Sequence, residues 1–152
     1  MSDRLQHGDM TRSSEEPWKT REMTHEGFPL LLRCPLLIPY ELQPQFPRLV
    51  ALTHLLDEVT SAGLPVRTYN DRLGDFDHAA IQTFNRQDEG VTVLVETFAG
   101  KRTYYAYVAL DFDVGAAVER LTATFPNVRL EHLVRENADW RFIRRYAVDC
   151  AF

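Results

Sequence analysis

"GVTVLVETFAGKRTYYAYVAL", residues 90–110, decides the architecture. Gly90–Phe98 alternates, with Val91, Val93 and Val95 on one side. Arg102–Leu110 is rich in the Thr, Tyr and Val that suit a pleated surface. Ala99-Gly100-Lys101 between them is a short turn containing glycine. Two such runs at this spacing predict a β-hairpin. In an alternating strand Tyr105 and Tyr107 share a face, and Tyr104 takes the other.

Each flank of the hairpin predicts a helix. Upstream, Val66, Tyr69, Leu73, Phe76, Ala80 and Phe84 recur at intervals of three and four, one stripe of an amphipathic helix. Gly74 within it costs about 1 kcal/mol against Ala, and marks either close packing or a weak point. Downstream, Val114, Ala117, Val118, Leu121 and Phe125 form a second stripe. Asp113 is placed to cap that helix, and Pro126 stops it. "NVRLEHLVREN" then alternates as a strand, with Val128, Leu130, His132 and Val134 against Arg129, Glu131, Leu133 and Arg135.

The N-terminal half reads as strands. "WKTREM", "THEG" and "FPLLLRCP" are strand, turn and strand, and Pro29 and Pro35 argue against a deep place in a ladder for the second. "LIPYELQPQFP" is a proline-rich loop anchored by Tyr40 and Phe46. Leu49–Leu56 suits a buried strand or a short helix, and a strand is expected. The order β-β-β-α-β-β-α-β predicts an α+β fold: a mainly antiparallel sheet with two helices packed on one face and a ferredoxin-like second half. Residues 1–16 read as a polar tail, and 17–152 as a single domain.

Composition narrows the function classes. The 152 residues carry a net charge of −5, so nucleic acid is not an expected partner. The longest apolar run, Pro29–Pro39, is broken by Arg33 and prolines and is short of the ~18–20 residues a membrane helix needs. No membrane partner and a cytoplasmic location follow as expectations. Cys34 and Cys150 match no metal spacing and read as packed thiols.

Chemical motifs are sparse. The five histidines form no metal-binding pair pattern, and His78 beside Asp75 and Asp77 reads as a solvated helix face. "GKRT" lacks the upstream glycine of a phosphate loop, and no nucleophile elbow is present. No cofactor and no catalytic residue is expected. The tyrosine strand beside Lys101 and Arg102 lacks the glycine–phenylalanine signature of an RNA-binding sheet and reads as core or sheet packing.

Several stretches together resemble a known bacterial family. They are "GLP" before the first helix, "GKRTYYAYV" after a strand, a second helix ending in "FP", and a strand running into "ENADWRF". This order resembles the domain-of-unknown-function family 695 over about Pro17–Tyr146. Lys101 stands where the family usually has one of two arginines after the hairpin glycine, and Ala138-Asp139 where it usually has Pro-Glu. The resemblance implies a compact α+β domain and brings no reaction, cofactor or catalytic residue. A more distant, fold-level analogy is to bacterial regulators that inhibit a ribonuclease.

"ENADWRFIRRY", residues 136–146, offers two readings. Trp140 and Phe142 are either anchors of the core, or part of a binding edge in which Trp140, Arg141, Arg144 and Arg145 meet a partner. The expected function is a non-enzymatic protein-binding module, a regulator or the immunity partner of a bacterial toxin, docking to a protein of basic charge. The alternative is a small-molecule enzyme or sensor with a site between sheet and helices, built from Arg102, Tyr105, Tyr107 and His132. An unpaired sheet edge would also allow a homodimer.

Overall fold

A computed structural model describes residues 18–149. The tail expected over 1–16 and Cys150 lie outside the described residues. Six strands, β1 (Trp18–His25), β2 (Phe28–Pro35), β3 (Arg48–Leu55), β4 (Gly90–Phe98), β5 (Lys101–Val108) and β6 (Arg129–Glu136), form one antiparallel sheet in the order β1-β2-β4-β5-β3-β6. Helices are α1 (Arg67–Arg72), α2 (Gly74–Phe84), α3 (Val114–Thr124) and α4 (Arg141–Asp149). From β3 onward the chain runs β-α-β-β-α-β with strand order 4-1-3-2, the ferredoxin-like arrangement. That unit therefore begins one strand earlier than the sequence suggests, and β1–β2 is a hairpin added beside β4.

The 90–110 hairpin forms as read. Ala99 and Gly100 take φ of 53° and 83°, the paired left-handed turn that matches strand twist. One face assignment differs. A bulge between Thr92 and Leu94 changes the alternation, so Val91 and Val93 pack on one face of the sheet and Val95 on the other.

The face carrying Tyr104, Ala106 and Val108 is covered by α2 and α3, whose stripes bury Phe76, Ala80 and Phe84, and Val114, Ala117, Val118 and Leu121. Asp113 caps α3, accepting from Ala116 N–H at 3.0 Å. The first helix is broken rather than continuous. Leu73 adopts φ −88°, ψ 1°, and its N–H bonds back to Asn70 rather than one residue further. Gly74 has nothing near a would-be Cβ, so of its two readings it is the weak point.

The opposite face is covered in part. Tyr107, Leu49, Leu32, Val91 and Leu94 lie under Trp140, Ile143 and Phe46. The expected loop at 40–45 is a 3-10 helix (Tyr40–Gln45), and the residues after Trp140 form α4, which the sequence reading left without a structure. The prolines of β2 mislead, because β2 lies inside the sheet. Its ladder with β4 spans only Leu31–Arg33, and both prolines fall outside that stretch. Among the described residues no helix is long and apolar enough to cross a membrane.

Candidate functional site

The residues expected to form one site are divided among three places. Trp140 is wholly buried. Its indole N–H donates to the Phe46 carbonyl at 2.8 Å, and its ring stacks on Tyr107 at 4.3 Å. It is an anchor of the core, and the binding-edge assignment for Trp140 is corrected by that burial. Arg141, Arg144 and Arg145 remain exposed on α4 and, with Gln43 and Asp139, line a shallow depression. Arg144 lies 4.4 Å over the Tyr40 ring and donates to Gln43 Oε1.

The alternative pocket set also separates. Tyr105 lines an open groove of about 370 Å³ on the partly covered face, beside Leu133 and Phe142. His132 borders it through β6, but stands across from Leu52 and so belongs to the opposite, helix-covered face, where it is exposed. Tyr107 is on that face but sealed beneath Trp140, its hydroxyl donating to Asn137 Oδ1 at 2.7 Å. Arg102 points to the other face. The four therefore do not form one site: β5 and β6 alternation puts Arg102 and His132 on the helix side, away from Tyr105, and α4 closes over Tyr107.

Arg102 belongs to a polar pocket of about 320 Å³ between the sheet and the α1–α2 break. Alternation brings Arg102 and Tyr104 to one face of β5, and strand pairing sets Thr97 opposite Arg102 and Leu31 opposite Thr97. Arg33 enters from β2. Asn70 on α1 and Asp77 on α2 flank the break at Leu73, and both line this pocket.

The Asp77 carboxylate is fully engaged. Arg33 donates to it through both terminal nitrogens at 2.9 and 2.7 Å, a two-pronged guanidinium–carboxylate pair. The Tyr104 hydroxyl donates to Asp77 Oδ1 at 2.6 Å. Burial works to raise the Asp77 pKa, but Arg33, Tyr104 and Arg102 outweigh it and hold the carboxyl below its ordinary value. Tyr104 is pushed well above the ordinary tyrosine range, by burial and by Asp77.

Arg102 is less well compensated. Its residue is 7% exposed. Nε donates to Thr97 Oγ1 at 2.9 Å and Nη2 to Asn70 Oδ1 at 3.0 Å, both neutral acceptors. Nη1 is 3.9 Å from Asp77 Oδ1, beyond hydrogen-bond range. Two guanidinium groups thus share one carboxylate, and the cluster keeps a formal charge of +1. Behind it His54, cross-strand from Arg102, is 1% exposed with Nδ1 unpartnered. Burial and Arg102 lower its pKa to about 4.

Of this cluster only Arg102 was singled out from sequence. Arg33 had a signal, a lone charge in the apolar run "LLLRC". Asp77 was read as solvated because it lies off the apolar stripe, whereas it faces the sheet and is only 19% exposed at its side chain. His78, beside it, is exposed as read.

A model of one protein family, described as a family of unknown function (DUF695), matches residues 16–146. The chain belongs to this family. No curated protein and no solved structure matches the chain. Two of the stretches that resemble the family meet in space. Gly63 of "GLP" has φ +87°, and a Cβ there would lie 2.9 Å from Ala99 Cα in the hairpin turn. Its carbonyl accepts from Gly100 N–H at 2.8 Å. Glycine at 63 lets the loop before α1 dock on the turn that opens β5.

Proposed function

We propose that this protein binds a small oxyanion, a carboxylate or phosphate group, in the Arg33–Arg102 pocket and does not transform it. The observation that carries this reading is Arg102: a buried cation, facing a cavity, whose nearest carboxylate is already taken by Arg33 and Tyr104. Burying a charge without full compensation is costly, and an anion between the two guanidiniums would offset that cost. The protonation states favour binding over turnover. Asp77 is held ionised, Tyr104 is held protonated and His54 is held neutral near pH 7. None of them is poised to exchange a proton there, as general acid–base chemistry requires.

Asn70→Asp tests this reading without emptying the site. A carboxylate at position 70 would face Arg102 Nη2 from 3.0 Å and supply the missing counter-charge. Thermal shift and calorimetry with inorganic phosphate and with succinate, at constant ionic strength, read the result. Either anion at millimolar concentration should raise the melting temperature of the wild type. Asn70→Asp should melt higher without ligand and bind about tenfold more weakly. A wild type that responds to neither anion would defeat the proposal.

A second reading keeps the protein-binding module, whether a regulator or an immunity partner. Arg141, Arg144 and Arg145 are exposed on one helix with Asp139 as the acid among them. This local charge suits an acidic protein segment rather than the basic partner expected from net charge. Arg141→Glu with Arg145→Glu should then abolish capture of that partner in a pull-down while the melting temperature holds.

A further inference from the structure

Strand β6 is an end strand of the sheet, paired with β3 on one side only. Among the described residues nothing pairs with its outer edge. Edges of this length normally invite another strand unless they are blunted. On the face that α4 leaves uncovered, β6 presents Glu131, Leu133 and Arg135 in succession. Leu133 is 54% exposed, because Ala51 opposite it on β3 is too small to cover it. Neither the Glu131 nor the Arg135 side chain has a hydrogen-bond or ion-pair partner among the described residues, whereas Arg129 is paired with Asp57 at 2.9 Å.

We infer that the occupant of this edge is a second copy of the chain, joined by antiparallel β6–β6 pairing about a two-fold axis at Leu133. The register follows from geometry and charge. Directly opposed residues of an antiparallel pair share a face, so a two-fold axis must pass through a residue and not between two. Four axes leave a substantial part of β6 paired. At Glu131 the axis opposes Glu131 to itself. At His132 it opposes Arg129 to Arg135. At Val134 it sets Leu133 against Arg135. At Leu133 it sets Glu131 against Arg135 on both sides of a central Leu133–Leu133 contact, all on the uncovered face. Opposite charges and apolar pairs directly across a ladder stabilise it, and like charges do the reverse. The pairing spans Leu130–Glu136 and extends the open groove beside Tyr105 and Phe142 across the two copies.

The other end strand has no such pattern. On β1 an axis at Arg21 opposes Arg21 to itself, and one at Met23 opposes Arg21 to His25. Self-recognition by charge therefore belongs to β6.

Charge reversal tests the register. Light scattering after size exclusion, across a protein concentration series, should show a dimer for the wild type. Glu131→Arg and Arg135→Glu should each weaken it about tenfold, because each places like charges opposite one another twice. The double reversal E131R with R135E should restore the wild-type dissociation constant. Both positions are exposed, and circular dichroism checks that the variants stay folded. A disulfide trap reads the axis separately. In a Cys150→Ser background, Leu133→Cys should cross-link to its own copy on mild oxidation, and Glu131→Cys should not. A wild type that stays monomeric throughout the series would overturn the inference. So would a dimer that both single reversals leave unchanged, or a Glu131→Cys chain that cross-links as readily as Leu133→Cys.

Discussion

Tyr104 and Tyr107 are three residues apart on one strand, both wholly buried, and they serve opposite faces of the sheet differently. Tyr107 donates to a neutral group, Asn137, under a stacked indole. Its face is closed by the C-terminal segment, and its polar atoms are satisfied within the chain. Tyr104 donates to a carboxylate shared with two arginines, beside an open pocket. One face spends its aromatic residues on closure, while the other leaves a charge unbalanced. The difference puts the core lock on the Trp140 side and the proposed ligand site on the Asp77 side.

The largest expected effect falls on the closed face. Trp140→Ala removes a large buried ring and leaves the Phe46 carbonyl without its donor. Equilibrium denaturation should show a loss of about 3–5 kcal/mol. A loss below ~1 kcal/mol would mean that α4 is not part of the cooperative core.

On the charged face the next effect is a pH dependence. His54 has a folded pKa near 4 against an ordinary 6.5. Between those values the unfolded chain binds the proton and the folded chain does not, so stability falls as pH falls from 6.5 to 4. The full window amounts to at most about 3 kcal/mol. His54→Phe, which keeps an aromatic edge against Phe76, should flatten that slope. Urea melts at pH 7, 5.5 and 4 measure it, and an unchanged slope in the variant would assign the titration elsewhere. Asp77→Ala follows, at about 2 kcal/mol near neutral pH, because it strands Arg33 and Arg102 together. Partial exposure of the Arg33–Asp77 pair keeps the loss below that of a fully buried one. Phosphate should recover part of it if the pocket takes oxyanions.

What the sequence made legible follows this same division. The hairpin, the two helical stripes and the Asp113 cap are local, and each is written in a short window of residues. The opposition of Tyr104 to Tyr107 follows from strand alternation alone. Arg33, Asn70, Asp77 and Arg102 instead come from β2, α1, α2 and β5, and only the strand order β2-β4-β5 makes them neighbours. No spacing in one chain encodes that. Trp140 was legible as either core or interface, because its residue type serves both. What decided it is the long-range contact with Phe46. The helix after Trp140 was missed because its charges keep its mean hydropathy low and the segment is short, although Phe142, Ile143 and Tyr146 recur on one side of it and pack on the core.

The smallest effect separates the two tyrosines most sharply. Tyr104→Phe and Tyr107→Phe each remove one buried hydroxyl, and each should cost about 1 kcal/mol at pH 7. Their acid limbs should differ. Asp77 has a lowered folded pKa, so its contribution is present above the ordinary carboxylate value and is lost as pH falls through the folded one. The Tyr104 hydroxyl is one cause of that lowering. Without it the Asp77 pKa rises toward its ordinary 3.8, and the acid unfolding midpoint should move to higher pH. Tyr107 donates to Asn137, which does not titrate, so Tyr107→Phe should lower stability evenly with pH and leave the shape of the acid limb alone. Acid titration followed by fluorescence compares the two. Parallel shifts in both variants would mean that the hydroxyl on the charged face is as purely structural as the one beneath Trp140.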